Sequence, residues 1–225
     1  MNSFIKKSVI FGSLGLLICL LFYQFAIDPK VDANTISKTL KDPSIMNSKN
    51  GVVVGKKDAP LTIVEFSDYG CGACNVLKKN FDSINFYSKY IESGKVRYIF
   101  KDVPATSHFN AEEASIASLA AQKQDKYWEM HNLLFQKSSE WSSAEKGFGI
   151  FGKYANQLNL NISQFNRDVQ AEDLSGRLSK TREEFKKMQF LGTPVLIIGK
   201  TQIIGAPSKK ELESVIEKEL AKSLK

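Results

Sequence analysis

Two cysteines three positions apart, Cys71-Gly72-Ala73-Cys74, stand between a run rich in β-branched residues and a run with helical periodicity. Upstream, Leu61-Thr-Ile-Val-Glu-Phe66 follows Pro60 and predicts a buried strand. Downstream, apolar residues at Leu77, Phe81, Ile84 and Ile91 predict a helix that starts at the cysteines. That placement limits the chemistry. A cysteine at a helix start faces unpaired backbone N–H groups and the positive end of the helix dipole, so its thiolate is stabilised and reactive. The second cysteine lies one turn in and can reach the first sulfur. A bare C-x-x-C also serves as half a zinc site. The chain has 3 Cys and 2 His, however, so no second pair completes such a site. Redox chemistry without a metal or other cofactor is therefore expected.

The rest of the composition adds exclusions. Of the 225 residues 43% are hydrophobic and 24% charged, which fits a globular chain and excludes disordered and disulfide-scaffold classes. The formal charge of +7 comes from 31 basic and 24 acidic residues in no long block. Dispersed lysine of this kind predicts a solvated surface and no nucleic-acid partner.

Residues 1–27 read as a membrane segment. Val9 to Ile27 is a run of 19 residues broken by Ser13 and Gln24, with Lys6 and Lys7 before it. As a helix it would span about 28 Å, close to a bilayer core. It is longer than the apolar region of a cleaved signal, and Gln24-Phe25-Ala26 makes a poor cleavage site. An uncleaved single-pass anchor is expected, with the two lysines inside and residues 28–225 outside the cytoplasm.

Residues 28–50 are expected to be a polar linker with one short helix near Thr35–Lys41. Val52-Val53-Val54 predicts an edge strand, and Val96 to Phe100 another strand. Residues 105–188 show no strand pattern. Helical faces recur there as Ala111, Ala114, Ala117 and Ala121, as Tyr127, Met130 and Leu134, and as Leu174, Leu178, Thr181, Phe185 and Met188. Val195–Ile198 and Thr201–Ile204, joined by Gly199-Lys200, predict a hairpin. Ser208 and Glu211 predict a capping box on a last helix. His108 is read as capping the helix that begins near Asn110, and His131 and Trp141 as packing residues.

Four segments together resemble the DsbA-like thiol–disulfide oxidoreductases, and within them the membrane-anchored bacterial members. They are Glu65-Phe-Ser-Asp-Tyr-Gly-Cys-Gly-Ala-Cys74, Phe100-Lys-Asp-Val-Pro104, Tyr127-Trp-Glu-Met-His-Asn-Leu-Leu-Phe135 and Gly192-Thr-Pro-Val195. The resemblance covers roughly residues 50–222. It implies an α/β thioredoxin fold with an inserted all-helical domain, preceded here by the N-terminal transmembrane helix. The expected boundaries are 51–104 for the first thioredoxin part, 105–188 for the insertion and 189–225 for the second part.

Carried over by position, the resemblance makes Cys71 the nucleophile, Cys74 the resolving thiol and Cys71–Cys74 the redox disulfide. Pro194 is then a cis-proline beside the substrate, although X-Pro bonds are cis in only about 5–6% of folded cases. Thr193 packs against the cysteines. Glu65 becomes a buried carboxylate beneath them, with Lys101 as its basic partner. The implied partners are reduced or misoxidised exported proteins and a membrane or soluble redox partner that recycles the pair, at a bacterial inner membrane. One departure matters: the strongest oxidants of the family carry a histidine between the cysteines, and this chain has Gly72-Ala73. A milder potential is expected, between about −120 and −270 mV. A reductase or isomerase of the same fold therefore stays open beside a disulfide-forming oxidase. A membrane-tethered peptide-binding chaperone is the third reading.

Overall fold

The β-branched run of Leu61–Ser67 forms a strand, and it lies near the middle of a six-stranded sheet. The computed structural model describes residues 37–40, 42–47, 49–145 and 147–224. The strands are β1 (Ser37–Thr39), β2 (Val52–Val54), β3 (Leu61–Ser67), β4 (Val96–Asp102), β5 (Val195–Ile198) and β6 (Thr201–Ile204). Their order is β1-β6-β5-β3-β4-β2. β3 and β4 run parallel, and every other neighbouring pair is antiparallel. Gly199, at a φ of +57°, makes the tight turn between β5 and β6.

Because successive strand residues point to opposite faces, the sheet carries two cores. Leu61 and Ile63 of β3, Phe100 of β4 and Leu196 of β5 face helices α1 (Gly72–Ser83) and α8 (Lys209–Ser223). Val64, Phe66, Ile99, Val195 and Ile197 face the other way, where Phe185 of helix α7 (Glu172–Lys187) packs on Phe66. The residues of β5 are fully buried on both faces, the mark of a central strand.

Between β4 and β5 the described residues form helices and turns only. They are α2 (Ala111–Gln122), α3 (Tyr127–Gln136), α4 (Ser138–Trp141), α5 (Gly147–Gln157), α6 (Ile162–Asp168) and α7. The alanine face of α2 is buried, as are Tyr127, Met130 and Leu134 of α3. Trp141 is fully buried, and its Nε1 donates to the Leu134 carbonyl at 2.8 Å. Arg177 of α7 ties this block to the sheet edge, since its guanidinium donates to the carbonyls of Asn50 and Gly51. The capping box of α8 is present on Ser208 and Glu211.

Three expectations change. Ser37–Thr39 is a strand paired with β6, not part of a helix, because the open edge of β6 offers it backbone partners. Ile45 is also buried, so this part of the chain belongs to the folded unit and is no tether. The helix after the cysteines stops at Ser83, and a separate π-helical turn, Tyr87–Glu92, follows Asn85 at a φ of 52°. Finally, the anchor over residues 1–27 and the linker up to residue 36 lie outside the described residues. Among the described residues no helix is long and apolar enough to cross a membrane.

Candidate active site

Cys71 is the residue before the first turn of α1, with an extended backbone, and Cys74 sits one turn in. Both are free thiols, the first half-buried and the second with no exposure. The chain enters this turn through Gly70, where a Cβ would come within 2.7 Å of the His108 Cβ, so only glycine fits. Cys71 Sγ lies 3.4 Å from the Thr193 carbonyl oxygen. The Thr193–Pro194 bond is cis, as the resemblance implied. Two residues separated by 122 positions thus meet at one sulfur.

The two thiols are driven apart in acidity. The Cys74 thiol donates to Cys71, and the N–H of Cys74, the Thr193 hydroxyl and the N–H of Ala73 add to it against burial, so Cys71 is held down at about 5. Burial pushes the Cys74 thiol far up, and its bond to the Cys71 sulfur holds the proton on it. Near neutral pH the reduced pair is one thiolate and one thiol. Stabilisation of Cys71 here comes from the partner sulfur, backbone N–H groups and the Thr193 hydroxyl, with no side chain from Gly72-Ala73 needed.

Glu65 is buried on the α1 face of β3. Its carboxylate accepts the Tyr98 hydroxyl at 2.6 Å. Burial raises its pKa; the hydroxyls of Ser67 and Tyr98, and the Lys78 charge, pull it partly back. The buried Ser67 hydroxyl, two residues on along the same face of β3, favours the ionised form of both Glu65 and Cys74.

The thioredoxin profile matches residues 47–218, about three-quarters of the sequence. The chain belongs to the thioredoxin family. It is 28% identical over 185 residues to the disulfide bond formation protein D of Bacillus subtilis, covering 79% of each. The oxidised crystal structure of BdbD from Bacillus subtilis superposes with a TM-score of 0.68 at 27% identity, over 83% of this chain and 98% of that one. The alpha-DsbA1 of Wolbachia pipientis shares the fold, with a TM-score of 0.70 at 23% identity over 82% and 94% of the two chains. The resemblance to DsbA-like oxidoreductases drawn from the motifs therefore holds.

One expected partnership of this thioredoxin-family site is overturned. Lys101 does not meet Glu65. The register pairs Glu65 with Phe100 and Phe66 with Lys101, so alternation sends the lysine to the opposite face of the sheet. There its Nζ lies 2.6 Å from Glu184 of α7 and 5.3 Å from the centre of the Phe66 ring. Burial lowers the Lys101 pKa, and Glu184 offsets part of that. His108 is not a side-chain cap either. Its Nδ1 lies 2.6 Å from Asp68 Oδ2, while Asp68 also accepts the N–H groups of Gly70 and Ala105. His131 is buried and packed edge-on to Phe100, and burial holds its pKa well down.

The polar groups missed in the sequence are Tyr98, Asp68 and Asp102. Asp102 is buried and pushed up to about 7 by burial, against Ser115, Arg177 and Tyr127. A hydrogen-bonded chain runs from His131 through Tyr69 and Tyr127 to it. Only Tyr98 carried a usable signal. It has the parity of Phe100 in Val96-Arg-Tyr-Ile-Phe100, which puts it on the Glu65 side once the register is known.

Proposed function

We propose that this thiol–disulfide oxidoreductase acts outside the cytoplasm and forms disulfide bonds in exported proteins through Cys71 and Cys74. The observation that carries the reading is the split between the two thiols beside the cis-proline turn, one held at about 5 by the Cys74 thiol and neighbouring donors and one buried and kept protonated. Cys71 is the nucleophile and leaving thiolate, Cys74 the resolving thiol. Thr193 and Pro194 present backbone to the substrate beside Cys71. Glu65 is the carboxyl that exchanges a proton with Cys74. Lys101 is a structural partner of Glu184. The names of the relatives, which include a disulfide bond formation protein, support the class of reaction.

In the forward direction a substrate thiolate attacks Cys71 of the enzyme disulfide. A bond from substrate sulfur to Cys71 forms, the Cys71–Cys74 bond breaks, and its electron pair leaves on Cys74, which is then protonated. A second substrate thiolate attacks the first, closing the substrate disulfide and releasing the Cys71 thiolate. A stabilised Cys71 thiolate favours the reduced enzyme and so drives this direction. A membrane or soluble redox partner then restores the disulfide. Residues 9–27 anchor the protein in a bacterial inner membrane with the site on the outer side.

The test pairs a measured redox potential with two assays, oxidation of a reduced, unfolded protein and rescue of a scrambled one. Stoichiometric oxidation by the disulfide form, with little rescue, is expected. Rapid rescue with negligible net oxidation would assign the reductase or isomerase direction instead.

A further inference from the structure

A cavity of about 740 Å³ opens between α1, the π-helical turn and α3. Tyr98, Trp128, His131 and Phe135 form part of its wall, and Lys78 and Asn132 part of its rim. Cys71, Thr193 and Pro194 do not line it. Tyr98 joins the cavity to the buried acid, since it lines the wall and its hydroxyl donates to Glu65 Oε2 at 2.6 Å. Tyr98 thus holds the Glu65 carboxyl by a short hydrogen bond, while Lys101 is committed to Glu184 on the far face.

We propose that Tyr98 is a positioning and proton-relay residue through which Glu65 exchanges protons with water in this cavity. The proton of Cys74 then enters and leaves through the α1–α3 side of the domain, away from the surface where Cys71 meets substrate. The inference rests on the disulfide-exchange reading and adds a route to it. When the Cys71–Cys74 bond breaks, the Cys74 thiolate takes the proton of Glu65. The resulting carboxylate takes the Tyr98 proton as Tyr98 takes one from cavity water, so the phenol begins and ends neutral. In the reverse step, Cys74 attacks the mixed disulfide and gives its proton back along the same chain. The separation has a physical advantage: a bound polypeptide that covers Cys71 does not block proton exchange at Cys74.

The groups around Glu65 are Tyr98 on β4, Ser67 on β3, Tyr69 beyond it and Lys78 on α1, and Cys74 of α1 acts on the same Tyr98. With those unchanged, Tyr98→Phe isolates the hydroxyl. Stopped-flow measurement of the two half-reactions across pH should show the step at Cys74 slowed about tenfold, a modest share of the about 10²–10⁴ that general acid–base catalysis supplies. Attack by the Cys71 thiolate should be unchanged. The infrared carboxyl band of Glu65 should titrate at higher pH, because its carboxylate has lost a donor. Glu65→Gln/Tyr98→Phe should be no slower than Glu65→Gln alone. Asn132→Trp narrows the cavity from an exposed position and should slow the same step with Tyr98 intact. Unchanged resolution rates in Tyr98→Phe and Asn132→Trp would overturn the route, as would equal slowing of both half-reactions with no shift in the Glu65 band. Cys71→Ser separates the two levels of failure. If it exchanges as fast as wild type, the exchange reading itself fails; if it is inactive while Tyr98→Phe is unaffected, the route alone is lost.

Discussion

Cys71 and Cys74 are the same side chain in two environments, and the difference is burial and hydrogen bonding. Alkylation of the reduced protein should therefore follow Cys71 with a midpoint at about 5, while Cys74 stays protected. Cys74→Ser should accumulate mixed disulfides, and Cys71→Ser few; first labelling at Cys74 would reverse the assignment. The same shift predicts a pH-dependent stability of the reduced form. Folding lowers the Cys71 pKa from 9.0 to about 5, so the stabilisation is complete above the unfolded value and disappears as pH falls through the folded one. Reduced wild type should lose stability relative to Cys71→Ala across that window. Glu65 behaves oppositely. Its pKa is raised in the folded state by burial, so its contribution is present at low pH and lost as pH rises through the folded value. Glu65→Gln keeps an acceptor for Tyr98 and removes the ionisation, and it should gain melting temperature over wild type as pH rises. A flat difference across pH would mean that Glu65 ionises as freely folded as unfolded.

At the scale of elements, the contact between α7 and β4 replaces the ion pair expected at Glu65. Lys101 has no exposure and Glu184 keeps about a fifth of its side chain in water, at an N–O distance of 2.6 Å. Breaking a buried pair by removing one member leaves a charge without compensation, which costs more than removing the charge itself. Glu184→Gln should destabilise the protein by about 2 to 3 kcal/mol, while Lys101→Met should cost less, its chain packing on Phe66. Chemical denaturation reads both. Neither should move the Cys71 titration, because the sheet stands between Lys101 and the cysteines; a shift in Lys101→Met would place the lysine in the redox site after all. Other elements were legible because their pattern was local. The α2 alanine face, the β5–β6 hairpin and the Ser208–Glu211 cap all formed where the residues put them. β1 was not, since a three-residue strand takes its conformation from the β6 edge and not from its own propensity.

For the whole molecule, the thioredoxin match spans residues 47–218 and leaves the apolar N-terminus outside it. Cell fractionation should recover the intact chain with membranes, its cysteines accessible from outside. A wholly soluble protein with a mature N-terminus near Ile27 would reject the anchor and keep export. What the sequence determined by itself was the chemistry and its frame: a reactive cysteine at a helix start, a second thiol one turn in, a strand before them and a helical block after. Those features follow from periodicity, capping and residue type, all readable within a few positions. The tertiary structure decided which groups share a face. Only the β3–β4 register tells that Glu65 meets Tyr98 while Lys101 meets Glu184, because one residue of offset along a strand turns a side chain to the opposite core.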